Sequence, residues 1–364
     1  MFPVRQTFCL DHYTTQTGRT LRDVRVGYET YGTLSPARDN VILICHYFSG
    51  NAHAAGRYCE SDPLPGWWDA AIGPGKVFDT DRYFIVSSDS LVNLTVLDGR
   101  TVTTGPATIN PETGQPYGPD FPIVTVTDFV RVQKALLEHL GIDQLVAVAG
   151  PSGGSAQAIE WSVEYPECVP RVVAVISPGL YVHPYAAALA DCWTRPILVD
   201  AAWKEGRYDP AQPPRQGLIE ALRLTTLTAL SFETLGAQFG YAPADPARSP
   251  ADALANQFKA DAMLGEMAAA RANITDANHF LYMVRAYKLY DTVARIHQSR
   301  AKYLFLPAAS DLIFPPHLSE VAAEQCRAAG CPAEVFVLPG TGGHVDGLSQ
   351  MEAARGVLQD FLAT

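Results

Sequence analysis

An open, mostly parallel α/β sheet carrying a helical insertion is the fold class that this 364-residue sequence predicts. Three observations predict it. Short β-rich runs alternate with stretches long enough for crossover helices. The pentapeptide Gly150-Pro151-Ser152-Gly153-Gly154 stands between an apolar run and a helix-like segment. From about residue 180 to 299 the texture changes to Ala-, Leu- and Met-containing helical periods, and strand texture resumes at Lys302.

Along the chain, the alternation in residues 22–29 predicts antiparallel edge strands within residues 8–31. The runs 41–45, 83–86, 145–149 and 172–176 are short and apolar, as strands covered on both faces require. Between them, residues 128–137 show helical spacing of apolar side chains, with Thr127 or Asp128 as N-cap. Helical periods broken by Pro-rich loops such as Asp209-Pro210-Ala211-Gln212-Pro213-Pro214 predict a lid over residues 180–299. The core is then residues 1–179 and 300–364. Two more strands are predicted, one at Tyr303-Leu304-Phe305-Leu306 and one at Glu334-Val335-Phe336-Val337-Leu338.

A serine on a sharp strand-to-helix turn, with glycines that let backbone pass close by, is a nucleophile elbow. Acyl transfer through Ser152 is the expected chemistry. The strand at residue 303 delivers Asp311 into a loop, and the strand at residue 334 is followed by Pro339-Gly340-Thr341-Gly342-Gly343-His344. The order Ser, Asp, His at strand ends is that of an α/β-hydrolase, with His344 as base and Asp311 holding its tautomer. One oxyanion donor is then the N–H of Gly153. The second comes from the loop His46-Tyr47-Phe48-Ser49-Gly50 after the first core strand, with Phe48 preferred and Tyr47 next. His46 and His53 are assigned structural hydrogen bonds.

Composition narrows the partners. A formal net charge of −11 without a Lys/Arg run argues against nucleic acid or an anionic membrane surface. Seven scattered cysteines without a C-x-x-C pair suggest neither a disulfide framework nor a metal site, so a reducing cytoplasm is expected. Residues 1–6 lack a charged stretch leading into an apolar one, and no run of about 18 apolar residues occurs, so neither export nor a membrane partner is expected. No cofactor is implied.

Several stretches resemble the homoserine O-acetyltransferase family of the α/β-hydrolase superfamily. They include Gly66-Trp67-Trp68-Asp69, Ile72-Gly73-Pro74-Gly75-Lys76, Asp79-Thr80-Asp81-Arg82-Tyr83-Phe84, and Thr104-Gly105-Pro106 with Ile109-Asn110-Pro111. Further matches are Tyr117-Gly118-Pro119-Asp120-Phe121-Pro122, Gln157-Ala158-Ile159-Glu160-Trp161, Asp276-Ala277-Asn278 and Ser310-Asp311-Leu312-Ile313-Phe314-Pro315. The resemblance places nucleophile, acid and base on Ser152, Asp311 and His344, and implies a helical lid and a homodimer built through it.

Departures from the family pattern bear on the substrate. The aspartate that family transferases usually carry after the histidine is Val345 here, with Asp346 one residue later. A glycine-rich segment is replaced by Leu91-Val92-Asn93-Leu94-Thr95-Val96-Leu97, and a Tyr-Arg pair by Ala229-Leu230, while Arg223 matches an upstream arginine. Tyr47, Arg223 and Asp346 are the candidate substrate contacts. A zwitterionic acceptor would be poorly served, which favours a carboxylesterase for short-chain, mainly apolar esters. The alternative is an acyl-CoA-dependent O-acetyltransferase acting on homoserine, serine or another hydroxyl acceptor, with acetyl-CoA as substrate.

Overall fold

A computed structural model describes residues 2–363. The chain opens with two long strands, β1 (Gln6–Thr14) and β2 (Thr20–Tyr31), paired antiparallel, before β3 (Val41–Cys45) enters the sheet centre. A small parallel pair, β4 (Ile72–Gly73) and β5 (Phe78–Asp79), precedes β6 (Phe84–Ser88). Then come α1 (Val126–His139), β7 (Ala147–Pro151), α2 (Gly153–Glu164) and β8 (Arg171–Val175). Five helices follow before the sheet resumes: α3 (Pro184–Val199), α4 (Arg215–Ala229), α5 (Phe232–Phe239), α6 (Lys259–Ala272) and α7 (Ala277–Lys288). The chain ends with β9 (Lys302–Leu306), α8 (Pro316–Ala328), β10 (Ala333–Val335), α9 (Asp346–Ser349) and α10 (Arg355–Ala363).

The main sheet has the order β1-β2-β6-β3-β7-β8-β9-β10. Only β1 with β2 and β2 with β6 are antiparallel; every pair from β6 onward is parallel. Because side chains alternate across a strand, Leu43 and Cys45 join one core layer with α1, α2 and α8, while Ile42 and Ile44 join the other with Trp68, Phe78 and α10. Both layers are closed to water.

Several boundaries differ from the sequence expectation, three of them with a clear physical reason. Gly150 and Pro151 belong to β7, because Gly150 pairs with Ala174 and Pro151 with Val175, and α2 begins at Gly153 immediately after the serine. Helix α1 starts earlier, at Val126. Thr125 is its N-cap, and a capping box joins Thr125 to Asp128, so Asp128 is the third helical residue and neither it nor Thr127 is the cap. Strand β10 stops at Val335 although residues 336–338 are apolar. Opposite them stands Pro307, which has no N–H to continue the ladder, and pairing resumes only at the bridge between Ala308 and Leu338.

Candidate active site

At the C-terminal end of β7, Ser152 takes φ 55° and ψ −120°, a conformation costly for a residue with a Cβ. Its surroundings hold it there. The Ser152 N–H donates to Val175 O at 2.8 Å, and its carbonyl accepts from Ser155 N and Ser155 Oγ. A Cβ on Gly154 would lie 2.1 Å from Cys45 O, and one on Gly150 would lie 2.5 Å from Gly154 C. Glycine is required at both positions because β3, β7 and α2 converge there.

The loops after β9 and β10 bring Asp311 and His344 to this serine. His344 Nε2 lies 2.8 Å from Ser152 Oγ, and His344 Nδ1 lies 2.7 Å from Asp311 Oδ2. Asp311 is buried, and its Oδ1 accepts from the N–H groups of Ile313 (2.8 Å) and Phe314 (3.0 Å). A carboxylate so engaged can only accept, so Nδ1 carries the hydrogen and Nε2 is left to accept from the serine hydroxyl. The histidine backbone is tied by its N–H to Ala229 O at 3.0 Å, and the Phe314 ring meets the imidazole edge to face at 5.5 Å.

Gly153 and Phe48 both line the cavity beside Ser152. Gly153 is the first residue of α2, where N–H groups lack intrahelical partners, and a helix N-terminus favours developing negative charge. Phe48 lies within a turn closed by Gly50 N–H to Tyr47 O, and its ring packs against Phe280 at 5.3 Å. Among the described residues, neither the Phe48 N–H nor the Gly153 N–H has an acceptor within the protein. Tyr47 also lines the cavity, with its ring edge on Trp67.

The other two candidate contacts lie elsewhere. Arg223 pairs on the surface of α4 with Glu220 and Asp261, each at 3.5 Å, and does not reach the cavity. Asp346 is buried against the histidine loop, where its Oδ2 accepts from Gly342 N–H at 2.8 Å, and it does not line the cavity either. Neither stands at the cavity wall. Their charges are already engaged by neighbours in the protein.

The cavity, of about 390 Å³, lies between the strand ends and helices α3, α4, α6 and α7. Its walls are mostly apolar, and among the described residues no aspartate or glutamate contributes to them. Two lining residues that the sequence did not single out are Arg271 on α6 and Tyr287 on α7. Arg271 donates to Thr226 Oγ1 (2.8 Å) and Ser49 Oγ (3.2 Å), and burial lowers its pKa. Tyr287 Oη accepts from Gln157 Nε2 at 3.0 Å; Gln157 accepts from Gln133, which accepts from Trp161, both at 2.7 Å. Three donors in series thus point toward the phenol. The tertiary fold alone assembles these contacts, and no local motif marks them.

His46 and His53 both make internal hydrogen bonds, His46 to Tyr47 O and Ser90 Oγ, and His53 to Glu29. Among the described residues no helix is long and apolar enough to cross a membrane, and no group of three or more His, Cys, Asp or Glu is placed to hold a metal ion.

A parallel sheet with a serine on a strained strand-to-helix turn and a histidine and aspartate in hydrogen-bond series defines the α/β-hydrolase class. A family model described as the alpha/beta hydrolase fold matches residues 58–349. Curated relatives narrow this further. The homoserine O-acetyltransferase of Symbiobacterium thermophilum is 38% identical over 336 residues, covering 90% of this chain and 86% of its own. That of Geobacter sulfurreducens is 37% identical over 356 residues, covering 96% and 94%. The chain belongs to the homoserine O-acetyltransferase family of α/β hydrolases. Among solved structures, esterase E22 is 42% identical with a TM-score of 0.94, covering 99% of this chain and 100% of its own. The homoserine O-acetyltransferase from Bacillus anthracis is 33% identical, also with a TM-score of 0.94, covering 100% and 98%.

Proposed function

We propose that the protein is a serine carboxylesterase for short-chain esters, acting through an acyl-enzyme on Ser152. The observation that carries this reading is the wall of the cavity: it offers no carboxylate to an ammonium group, and Val345 stands next to His344. An amino-acid acceptor would bury its ammonium unpaired, at about 1 to 3 kcal/mol or more for a charged group. Water has no such requirement.

In this reading Ser152 Oγ attacks the ester carbonyl carbon while its proton passes to His344 Nε2, and the carbonyl π pair moves onto oxygen facing the N–H groups of Gly153 and Phe48. The C–O bond to the alcohol then breaks, and the alcohol leaves with the proton from His344. Water repeats the sequence on the acyl-enzyme, giving its proton to His344 and releasing the carboxylic acid. Asp311 orients the imidazole throughout. The reading includes a lid over residues 180–299 closing on the core; a homodimer and a cytoplasmic setting go with it on the strength of the family.

The second reading is acyl-CoA-dependent O-acetyl transfer. The names of the curated relatives favour it over hydrolysis, while esterase E22, at 42% identity, lends weight to the first. The test is the fate of the acetyl group. Purified protein is given 4-nitrophenyl acetate in one reaction and acetyl-CoA with homoserine in another. Nitrophenol and acetate released together, with no acetylated acceptor in the second reaction, is the expected result. CoA release matched by O-acetylhomoserine would establish transfer instead.

A further inference from the structure

Arg271 is a largely buried cation without a counter-ion. Among the described residues it forms no ion pair, and its two hydrogen-bond partners, Thr226 Oγ1 and Ser49 Oγ, are neutral. Buried charges in proteins are ordinarily paired, because an ion removed from water without a partner costs several kcal/mol. The guanidinium nonetheless lines the same cavity as Ser152. Two hydroxyls fix its orientation and leave N–H groups over. Ser49 adjoins Phe48, so the cation stands beside the loop that would face the acyl oxygen.

Among the described residues, the only other lysine or arginine of the cavity wall is Lys288, and its ammonium is already held by Asp191 at 3.0 Å. One free guanidinium suits one planar monoanion, which it can grip with two parallel N–H bonds. A polyphosphate would bring charges with no further partners. An amino acid would bring an ammonium into a wall without acids.

We infer that Arg271 is an anion-binding subsite and that the ester processed at Ser152 carries a free carboxylate and no amine. The inference deepens the proposed esterase function and rests on it for the ester. Two kinds of compound share this chemistry: O-acyl hydroxy acids, with the carboxylate on the alcohol side, and half-esters of dicarboxylic acids, with it on the acyl side.

Binding is measured by calorimetry on the full-length Ser152→Ala protein, so that no turnover intervenes. The ligands are 3-acetoxypropanoate against its primary amide, and monoethyl glutarate against its amide. One carboxylate is expected to bind about 10- to 100-fold more tightly than its amide, the range for a hydrogen bond to a charged group; which pair shows it identifies the side of the ester. Adding Arg271→Gln should remove the preference, and Arg271→Lys should keep part of it. Equal binding of acid and amide in both pairs, or a preference that survives Arg271→Gln, would overturn the subsite. The esterase reading fails separately: wild-type protein that shows the preference but hydrolyses neither ester retains the subsite and loses the reaction.

Discussion

Asp311 shows how much of a site can depend on the hydrogen bonds of one carboxylate. Its Oδ1 is occupied by two backbone N–H groups and its Oδ2 by His344 Nδ1, so replacement by asparagine puts an N–H where an acceptor is required. The imidazole would then present Nε2–H to Ser152 and lose its basicity there. Asp311→Asn is expected to lower kcat for 4-nitrophenyl acetate on the order of 10⁴-fold, with the fold retained by circular dichroism. Turnover near the wild-type level in a folded variant would remove Asp311 from the mechanism. Ser152, Asp311 and His344 were legible in the sequence because each follows a strand, and strand ends in a parallel sheet share one edge. Arg271 was not legible. It lies in an Ala-rich helix whose partners, Ser49 and Thr226, come from distant segments, and a lone arginine there reads as a solvated side chain.

Elements are fixed at their ends, and α1 is the clearest instance. Asp128 accepts from Thr125 N–H at 2.7 Å, from the Tyr13 hydroxyl at 2.6 Å and from Gln16 N–H at 2.7 Å, while Thr125 Oγ1 accepts from Asp128 N–H. One buried carboxylate thereby joins the start of the helix to the β1–β2 turn. Asp128→Ala would leave these donors without an acceptor, and a loss of about 3 kcal/mol is expected in urea unfolding, more than a simple N-cap deletion. Asp128→Asn, which keeps one carbonyl acceptor, should lose less. A loss for the alanine variant no larger than about 0.5 kcal/mol would mean that the junction contributes nothing beyond its exposed part. The sequence reading found this helix from its apolar period but misplaced its start, because a capping box with its acid at the third helical residue resembles a cap at that acid. It also ended β7 early, since Gly-Pro reads as a loop unless the neighbouring strand is known to pair with it.

At the scale of the whole molecule, the mixed sheet and the helices between β8 and β9 create deep sites where ionisable side chains lose contact with water. His46 is such a case. It follows β3 at the sheet centre, is fully buried, and its pKa is lowered to about 4 because burial disfavours the imidazolium, partly opposed by the hydrogen bond to Tyr47 O. His279, buried beneath the segment around Asn93, is shifted the same way. Below the ordinary histidine pKa of about 6.5 the unfolded chain binds a proton that folded His46 does not, so stability falls as pH falls from about 6.5 toward 4. By pH 5 the loss from His46 alone is about 2 kcal/mol. Ordinary carboxylates titrate below most of this window, but burial raises Asp89 to about 6, so it titrates within the window with the opposite sign, and the His46 contribution is read from the difference between wild type and variant. Urea midpoints of wild-type protein should drop between pH 7 and pH 5, and His46→Gln, which keeps a hydrogen-bonding side chain without the titration, should flatten that drop while remaining less stable at neutral pH. Parallel pH profiles for the two proteins would show that His46 is either charged in the fold or reached by water.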